Sequence, residues 1–160
     1  MREYEELVGA LARLGLTVST AESCTGGLIA SAFVDNPGAS RVFLGGTVAY
    51  TEEIKTRRLG VSPALIGAFG VVSTEVAAAM AEGAREAFGS DLAVSTTGVA
   101  GPGGGSPETP VGCVCIAVSA KQGTRVFREQ LSGSREAVRE GAVALAAAHL
   151  LAYLSEHYVL

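Results

Sequence analysis

The stretch TAESCTGG, residues 20–27, joins a short run of β-favouring side chains to an apolar run. It places a carboxylate, a hydroxyl, a thiol, a second hydroxyl and two glycines in consecutive positions. Residues 16–20 are predicted to form a strand, and residues 26–35 have helical length before the sequence NPG ends the segment. The reactive side chains therefore lie on a predicted strand-to-helix turn at residues 22–25.

Helices and short strands alternate on both sides of this turn. Apolar residues at helical spacing and Ser, Pro and Gly at the expected ends support each helix. The predicted helices cover residues 2–14, 26–35, 52–59, 63–70, 73–89 and the region from 134 onward, and the predicted strands cover 16–20, 42–50, 92–95, 111–120 and 124–131. This order, with one hairpin connection at 121–123, predicts a three-layer α/β/α sandwich with a mixed, mostly parallel sheet.

Length and composition predict one domain over residues 1–160, since 48% of the residues are apolar and can fill a sizeable core. The net charge is −4 and Lys and Arg form no large cluster, which argues against nucleic-acid binding and favours a small-molecule partner. The apolar stretches are interrupted well before about 18 residues, and the N-terminus shows no signal-peptide pattern. We therefore expect no membrane association and a cytoplasmic location.

The cysteines and histidines do not indicate a metal site or a disulfide framework. The three cysteines, Cys24, Cys113 and Cys115, are odd in number and lack the spacing of metal ligands. Cys113 and Cys115 are expected to be small apolar residues on one face of a strand. His149 lies on the apolar stripe of the last helix and His157 follows it, so a Ser-His catalytic pair is not expected.

Two junctions of the predicted fold have the composition of a ligand site, because open α/β sheets bind ligands beyond the carboxyl ends of their strands. One is the turn at residues 22–25, and the other is the turn expected at residues 96–98. Helix capping is the competing explanation for the hydroxyls. Ser23 and Cys24 are the two candidate nucleophiles, since the positive end of a helix stabilises a nearby negative charge.

A nucleophile of this kind needs a base, and the chain contains only two lysines. Lys121 lies in the hairpin connection and is expected to be exposed. Lys55 follows Tyr50 by five residues, a spacing that allows both side chains to meet at the end of a strand. A buried lysine can act as a base because burial lowers its pKa from about 10.4. The residues alone favour the alternative, an exposed Lys55 paired with Glu52.

Two further features have the chemistry of a phosphate site. The glycine-rich loop at 98–105 lacks a Walker lysine and the spacing of a dinucleotide fingerprint, but its N–H groups can hold a single phosphate. Arg135 and Arg139 lie one turn apart at the start of the last helix and are suited to clamp a phosphate or a carboxylate. Ion pairs with Glu136 or Glu140 are the competing interpretation.

Four segments in the same order carry a family resemblance. They are TAESCTGG, GTVAYTEEIK at 46–55, STTGVAGPGGGSPETPVG at 95–112 and SGSREAVRE at 132–140. Together they resemble the C-terminal domain of the competence/damage-inducible CinA family, also known as the PncC nicotinamide-nucleotide amidases. The match covers nearly the whole chain, so we expect residues 1–160 to form a single CinA C-terminal-like domain.

The resemblance implies hydrolysis of the carboxamide of nicotinamide mononucleotide to nicotinic acid mononucleotide and ammonia, as part of pyridine-nucleotide salvage. It implies no metal and no cofactor. It assigns the nucleophile to Ser23 and the base to Lys55, with Tyr50 beside them to orient the lysine or relay a proton. It also implies a three-layer fold and a homodimer.

The resemblance and the site chemistry together predict the substrate contacts. The residues expected to hold the amide, the ribose and the phosphate are Glu22, Cys24, Thr25, Gly26, Thr97, Gly98, Gly101, Gly103, Arg135 and Arg139. Backbone N–H groups of residues 24–27 are the expected oxyanion hole. Glu22 has two possible roles, a ribose contact or a cap of the neighbouring turn. The alternatives to this reading are a Cys24 nucleophile and a non-catalytic nucleotide-binding module.

Two positions depart from the pattern of the family. Glu52 lies in the sequence TEE, where relatives often carry Ser-Asn-Glu, and it would repel a phosphate if it faced the site. Thr109 stands where a lysine is common, which removes one possible phosphate contact. Both changes are expected to affect substrate affinity rather than the type of reaction.

Overall fold

The structure, a computed structural model, describes residues 2–160 of the chain. A short 3₁₀ turn, Ala39–Arg41, precedes the second strand. The helices and strands follow in the order α1 (Arg2–Leu14), β1 (Val18–Glu22), α2 (Leu28–Val34), β2 (Phe43–Val48), α3 (Glu52–Leu59), α4 (Pro63–Phe69), α5 (Thr74–Phe88), β3 (Leu92–Gly98), β4 (Cys113–Ala120), β5 (Gly123–Gln130) and α6 (Arg135–His157).

The five described strands form one sheet in the order β2-β1-β3-β4-β5. β1 pairs in parallel with both β2 and β3, whereas β4 is antiparallel to its two neighbours. Four of the five strands therefore run in one direction, which confirms the mixed, mostly parallel sheet. Glu22 pairs with Val48 on one side and with Thr96 on the other, so three parallel strands end at the same edge.

Helices cover both faces of the sheet and complete the predicted three-layer sandwich. α1, α2 and α6 pack on one face, and α3, α4 and α5 pack on the other. In the first layer, Tyr4 packs edge-on against Phe33 at a ring-centroid distance of 5.0 Å, and its hydroxyl donates to Val143 O at 2.9 Å. Burying large apolar side chains on both faces provides the main stabilisation of such a fold.

α6 is long and apolar enough, by length and composition alone, to cross a membrane, and it is the one such helix among the described residues. Nearly half of this stretch is buried inside the domain. Val138, Ala142 and Leu150 belong to the core beside α1 and α2. Packing in the core therefore accounts for the apolar face of α6.

The boundaries around the first turn differ from the predicted ones by two residues. β1 covers Val18–Glu22 instead of 16–20, so Glu22 ends the strand. α2 begins at Leu28 instead of residue 26, because Gly26 and Gly27 have φ values of +59° and +99°. This left-handed backbone is accessible to glycine and is incompatible with a helix interior. The turn therefore extends from Ser23 to Gly27.

β3 is longer than predicted, since it covers Leu92–Gly98 instead of ending at residue 95. Thr96, Thr97 and Gly98 pair with β4 and belong to the strand, so the prediction of a turn at 96–98 is wrong. The end of β3 depends on its pairing with β4, which lies in a later part of the chain. The other elements begin and end within two residues of their predicted positions.

The cysteines and histidines away from the first turn have structural contacts. Cys113 and Cys115 are buried free thiols on the same face of β4, as predicted. His149 stacks on Phe127 at a ring-centroid distance of 3.7 Å, and its Nε2 lies 2.7 Å from Glu129 Oε1. These contacts support the prediction that His149 belongs to the packing of α6.

Candidate active site

A cleft of about 310 Å³ lies at the carboxyl ends of β1 and β3. Its volume is at the lower end of the range of roughly 300–1,000 Å³ found for small-molecule sites. The cleft is lined by Ser23, Cys24, Tyr50, Lys55, Val71, Val72, Thr97, Gly98, Val99, Ala100, Gly101, Gly103, Gly104 and Arg135. The first turn, the start of α3 and the glycine-rich loop thus meet at one site.

Ser23 and Lys55 are in direct contact in this cleft. Ser23 follows β1 immediately, and its N–H donates to Thr96 O at 3.0 Å, which holds the residue at the sheet edge. Lys55 Nζ lies 2.9 Å from Ser23 Oγ and donates to Ala49 O at 2.8 Å. Lys55 is only 1% exposed, whereas Glu52 is exposed. The exposed Lys55–Glu52 pair that the residues alone favoured is therefore wrong.

The position of Lys55 follows from the local structure of α3. Thr51 caps the helix, because its Oγ1 accepts the N–H of Ile54 at 3.3 Å. Gly60 ends the helix in the left-handed conformation, with φ of +69°. Lys55 and Leu59 form the buried face of this short helix. The cap fixes where the helix begins after β2, and its buried face directs Lys55 toward the first turn.

Burial changes the acid–base properties of Lys55. Desolvation lowers the pKa of its ammonium group from the usual 10.5, although Cys24 and Glu52 act in the opposite direction. The neutral amine has a lone pair, so it can accept the proton of the Ser23 hydroxyl across the same 2.9 Å contact. The pair has the geometry of a nucleophile and its general base.

Cys24 lies beside Ser23 in the cleft but has a different electrostatic environment. Burial raises the pKa of its thiol to about 11, with Glu22 adding to the increase and Lys55 and Arg139 opposing it. The thiol is therefore protonated near neutral pH, and the thiolate is the reactive form of cysteine. The hydrogen-bonding contact of Lys55 with Ser23 makes Ser23 the better-supported nucleophile.

Glu22 is buried and accepts four hydrogen bonds, which selects between its two expected roles. Its Oε2 accepts the Thr25 hydroxyl at 2.7 Å, and the other donors are the N–H groups of Gly27, Ile29 and Ala30 at 2.8–3.0 Å. The carboxylate thus caps the start of α2 and neutralises its positive end. Glu22 does not line the cleft, so capping is its role in this structure.

These contacts restrict the expected oxyanion hole at residues 24–27. The N–H of Gly26 donates to Ser23 O at 3.0 Å, and the N–H of Gly27 donates to Glu22. Thr25 is fully buried, and its hydroxyl lies 2.7 Å from Thr96 Oγ1 as well as contacting Glu22. Thr25 and Gly26, both expected to contact substrate, therefore lie outside the cleft. The N–H of Cys24 is the remaining candidate donor beside it.

One wall of the cleft was missed by sequence reasoning. Val71 and Val72 connect α4 to α5 and line the cleft. Thr97, expected to bind substrate, donates its hydroxyl to Val71 O at 2.9 Å and so ties this segment to β3. In the sequence, this wall is indicated only by two β-branched residues after Gly70. Such pairs are common in hydrophobic cores, so they do not distinguish a ligand site. The expected residues Gly98, Gly101 and Gly103 also line the cleft.

The two arginines of α6 have different positions. Arg135 lines the cleft and donates to Gly101 O at 2.8 Å and to the Tyr50 hydroxyl at 3.0 Å. Tyr50 is therefore at the mouth of the cleft, hydrogen-bonded to Arg135, and no hydrogen bond joins it to Lys55 among the described residues. Arg139 lies outside the cleft and donates to Cys24 O at 3.0 Å and to Thr25 O at 3.2 Å.

The charge of the cleft favours an anionic ligand. Arg135 is a cationic lining residue, Lys55 adds a second positive charge when it is protonated, and no carboxylate is among the described residues that line the cleft. Glu52 belongs to a separate groove beside α4, and Thr109 hydrogen-bonds to Ser106 within its own loop. The two departures from the family pattern thus lie outside the cleft. Over residues 2–160, no group of three or more His, Cys, Asp and Glu residues could hold a metal ion.

Comparison with known proteins identifies the family of this domain. The family model of the CinA C-terminal domain matches residues 2–154. The chain belongs to the CinA family. CinA-like proteins of Desulfotalea psychrophila and Kosmotoga olearia are 50% and 46% identical to it over 153 and 142 residues. These alignments cover 95% and 89% of this chain, but 36% and 34% of the relatives, so the chain spans about a third of their length.

Solved CinA-family structures have the same fold. The competence/damage inducible protein CihA from Agrobacterium tumefaciens is 42% identical, with a TM-score of 0.90 over 94% of both chains. The CinA superfamily protein from Klebsiella pneumoniae 700603 is 31% identical, with a TM-score of 0.93 over 97% of both chains. The cleft described above is therefore part of a CinA-family domain.

Proposed function

We propose that this domain hydrolyses the carboxamide of nicotinamide mononucleotide to nicotinic acid mononucleotide and ammonia without a metal ion. The observation that supports the proposal is the buried contact of 2.9 Å between Lys55 Nζ and Ser23 Oγ at the base of the cleft. A lysine with a lowered pKa can deprotonate a serine hydroxyl at moderate pH. Such a pair supports acyl transfer rather than binding alone.

In the proposed reaction, the neutral amine of Lys55 takes the proton of the Ser23 hydroxyl while Oγ attacks the amide carbon. The amide oxygen becomes negatively charged and accepts the N–H of Cys24. When the C–N bond breaks, the ammonium of Lys55 returns its proton to the leaving nitrogen, and ammonia departs. Water then attacks the ester on Ser23 with Lys55 again as base, which releases the carboxylic acid and regenerates the serine.

The rest of the cleft matches the other parts of this substrate. Val71 and Val72 provide an apolar wall for a pyridine ring. Arg135 is exposed at the mouth, where its guanidinium can exchange the Tyr50 hydroxyl for a phosphate oxygen. Gly103 and Gly104 also line the cleft, and the backbone N–H groups of such a glycine-rich loop can hold a phosphate. In this arrangement Tyr50 and Arg135 bind the phosphate end, and Ser23 receives the amide.

Ammonia release from nicotinamide mononucleotide in the presence of a chelator tests the proposal. Ser23→Ala and Lys55→Met should both abolish release, while Lys121→Met, which removes an exposed lysine, should retain it. Calorimetry with the same nucleotide provides a second measurement. Binding without any ammonia release by the wild-type protein would reject the amidase and favour a non-catalytic nucleotide-binding module.

The homodimer implied by the resemblance and the cytoplasmic location expected from the sequence stay predictions. Sedimentation of the purified chain measures the first directly. A monomeric chain with full amidase activity would show that the cleft functions without a partner.

A further inference from the structure

We infer that Arg139 is a positioning residue, which acts through the turn that carries Ser23 and does not bind the phosphate. The inference rests on the proposed Ser23 chemistry and extends it to a residue outside the cleft. It also separates Arg139 from Arg135, although the two lie one helical turn apart and are chemically identical.

Both hydrogen bonds that Arg139 donates among the described residues go to the backbone of the first turn. Its Nε donates to Cys24 O at 3.0 Å, and its Nη2 donates to Thr25 O at 3.2 Å. A guanidinium is a rigid planar fork, so two bonds from one group fix the orientation of two successive carbonyls. Neither Glu136 nor Glu140 forms a salt bridge with it among the described residues. Arg139 therefore interacts with the turn rather than with its own helix.

Gly26 gives independent evidence of this close approach. A Cβ atom added at Gly26 would lie 3.3 Å from Arg139 Nη2, a distance tighter than ordinary contacts. Gly26 also has φ of +59°, a conformation that glycine adopts without strain. Its N–H closes the turn by donating to Ser23 O at 3.0 Å. The turn is thus shaped to place its carbonyls against the guanidinium.

Holding these carbonyls affects the reacting groups directly. Ser23 and the N–H of Cys24 belong to the same tight turn, so rotation of its peptide groups would move both. On the other side, the Glu22 carboxylate holds the Thr25 hydroxyl and the N–H of Gly27. The nucleophile turn is therefore fixed between a carboxylate at its start and a guanidinium from α6. This fixation maintains the 2.9 Å distance between Ser23 Oγ and Lys55 Nζ.

The test compares Arg139→Ala and Arg139→Lys with Arg85→Ala. Arg85 is a matched control, because it also makes a partly buried hydrogen bond, to Ser119 Oγ at 3.2 Å, but lies outside the cleft. One measurement is kcat and KM for nicotinamide mononucleotide. The other is the rate at which a fluorophosphonate probe labels Ser23, followed by intact mass. The labelling rate reports on the nucleophile without requiring the proposed substrate.

Arg139→Ala should lower kcat by about 100-fold and change KM by less than about threefold, since displacing a reacting group by about 1 Å has an effect of this size. Labelling of Ser23 should slow in parallel, Arg139→Lys should restore part of both rates, and added guanidinium should restore part of them in Arg139→Ala. Arg85→Ala should match the wild type in both measurements.

A raised KM with unchanged kcat in Arg139→Ala would show a substrate contact and overturn the inference. Labelling of Ser23 at the wild-type rate in Arg139→Ala would overturn it as well, and so would a wild-type protein whose Ser23 is not labelled. If the wild type is labelled but releases no ammonia, the proposed substrate fails. In that case, slowed labelling in Arg139→Ala would still support positioning.

Discussion

Replacement of Lys55 by methionine tests the proposed base with little change in shape. Methionine keeps an unbranched side chain of similar length and removes the amine. In the structure Lys55 is 1% exposed, and its amine lies 2.9 Å from Ser23 Oγ and donates to Ala49 O at 2.8 Å. A positioned general base typically contributes a factor of about 10² to 10⁴ in rate. We therefore expect kcat/KM to fall by at least about 100-fold, equivalent to roughly 2.7 kcal/mol of transition-state stabilisation.

The pH dependence shows whether the lost group is Lys55 acting as a base. Burial lowers the pKa of the lysine, so the neutral amine forms below the usual 10.5. In the wild type, kcat/KM should rise with pH through this lowered pKa and then level off, and Lys55→Met should lack this rise. Ammonia release measured between about pH 6 and pH 10 gives both profiles. A rise centred at the ordinary lysine pKa, or the same rise in the variant, would refute the reasoning.

The same burial predicts a pH-dependent stability difference. Because the pKa of Lys55 is lower in the folded state, the unfolded state binds more protons between the folded value and 10.5. Burial of the ammonium therefore destabilises the folded state by its full amount below the folded pKa. This destabilisation decreases as the pH rises from the folded pKa toward 10.5. Urea unfolding should show the wild type gaining stability relative to Lys55→Met in this window, by about 1.4 kcal/mol per unit of pKa lowering. A stability difference between the wild type and Lys55→Met that stays constant with pH would contradict this prediction.

Three further substitutions have distinct expected outcomes. Cys24→Ala should retain Ser23-dependent ammonia release, because the thiol is protonated near neutral pH, with a pKa of about 11; loss of activity equal to that of Ser23→Ala would make Cys24 the nucleophile. Tyr50→Phe should raise KM while leaving the pH profile unchanged, since in the proposed arrangement its hydroxyl binds the phosphate beside Arg135; a shifted profile would place Tyr50 beside the base. Thr20→Val should increase the free energy of unfolding, measured in urea, by about 1–2 kcal/mol, because it removes a buried hydroxyl without a hydrogen-bond partner among the described residues. A decreased free energy of unfolding would show that the hydroxyl forms a hydrogen bond.

Local sequence signals predicted the order of the elements and the turn that follows β1. Apolar residues at helical spacing and the capping residues at helix ends form patterns only four to seven residues long. These patterns can therefore be recognised without knowledge of the fold. For the same reason α1 and α3 begin and end at their predicted residues. The boundary of β3 was wrong because its last three residues depend on pairing with β4, which no local pattern reports.

The candidate site shows the same division. The residues around Ser23 predict its position after a strand, whereas the helical neighbours of Lys55 favour an exposed side chain. Its burial depends on the packing of α3 against the first turn, more than 30 residues earlier in the chain. The family resemblance selected Lys55, and the tertiary contact supplies the physical reason.

By itself, the sequence determined the order of the helices and strands and the position of the first turn, because propensity, capping and periodicity are local properties. Tertiary structure decided what each polar group contacts. Arg135 and Arg139 share one helical face, and their spacing predicted a common clamp. In the fold, one reaches the cleft and the other reaches the carbonyls of the turn, because the surfaces packed against successive turns of α6 differ. Helical spacing determines which face of the helix a side chain lies on, but only tertiary packing determines which groups it contacts there.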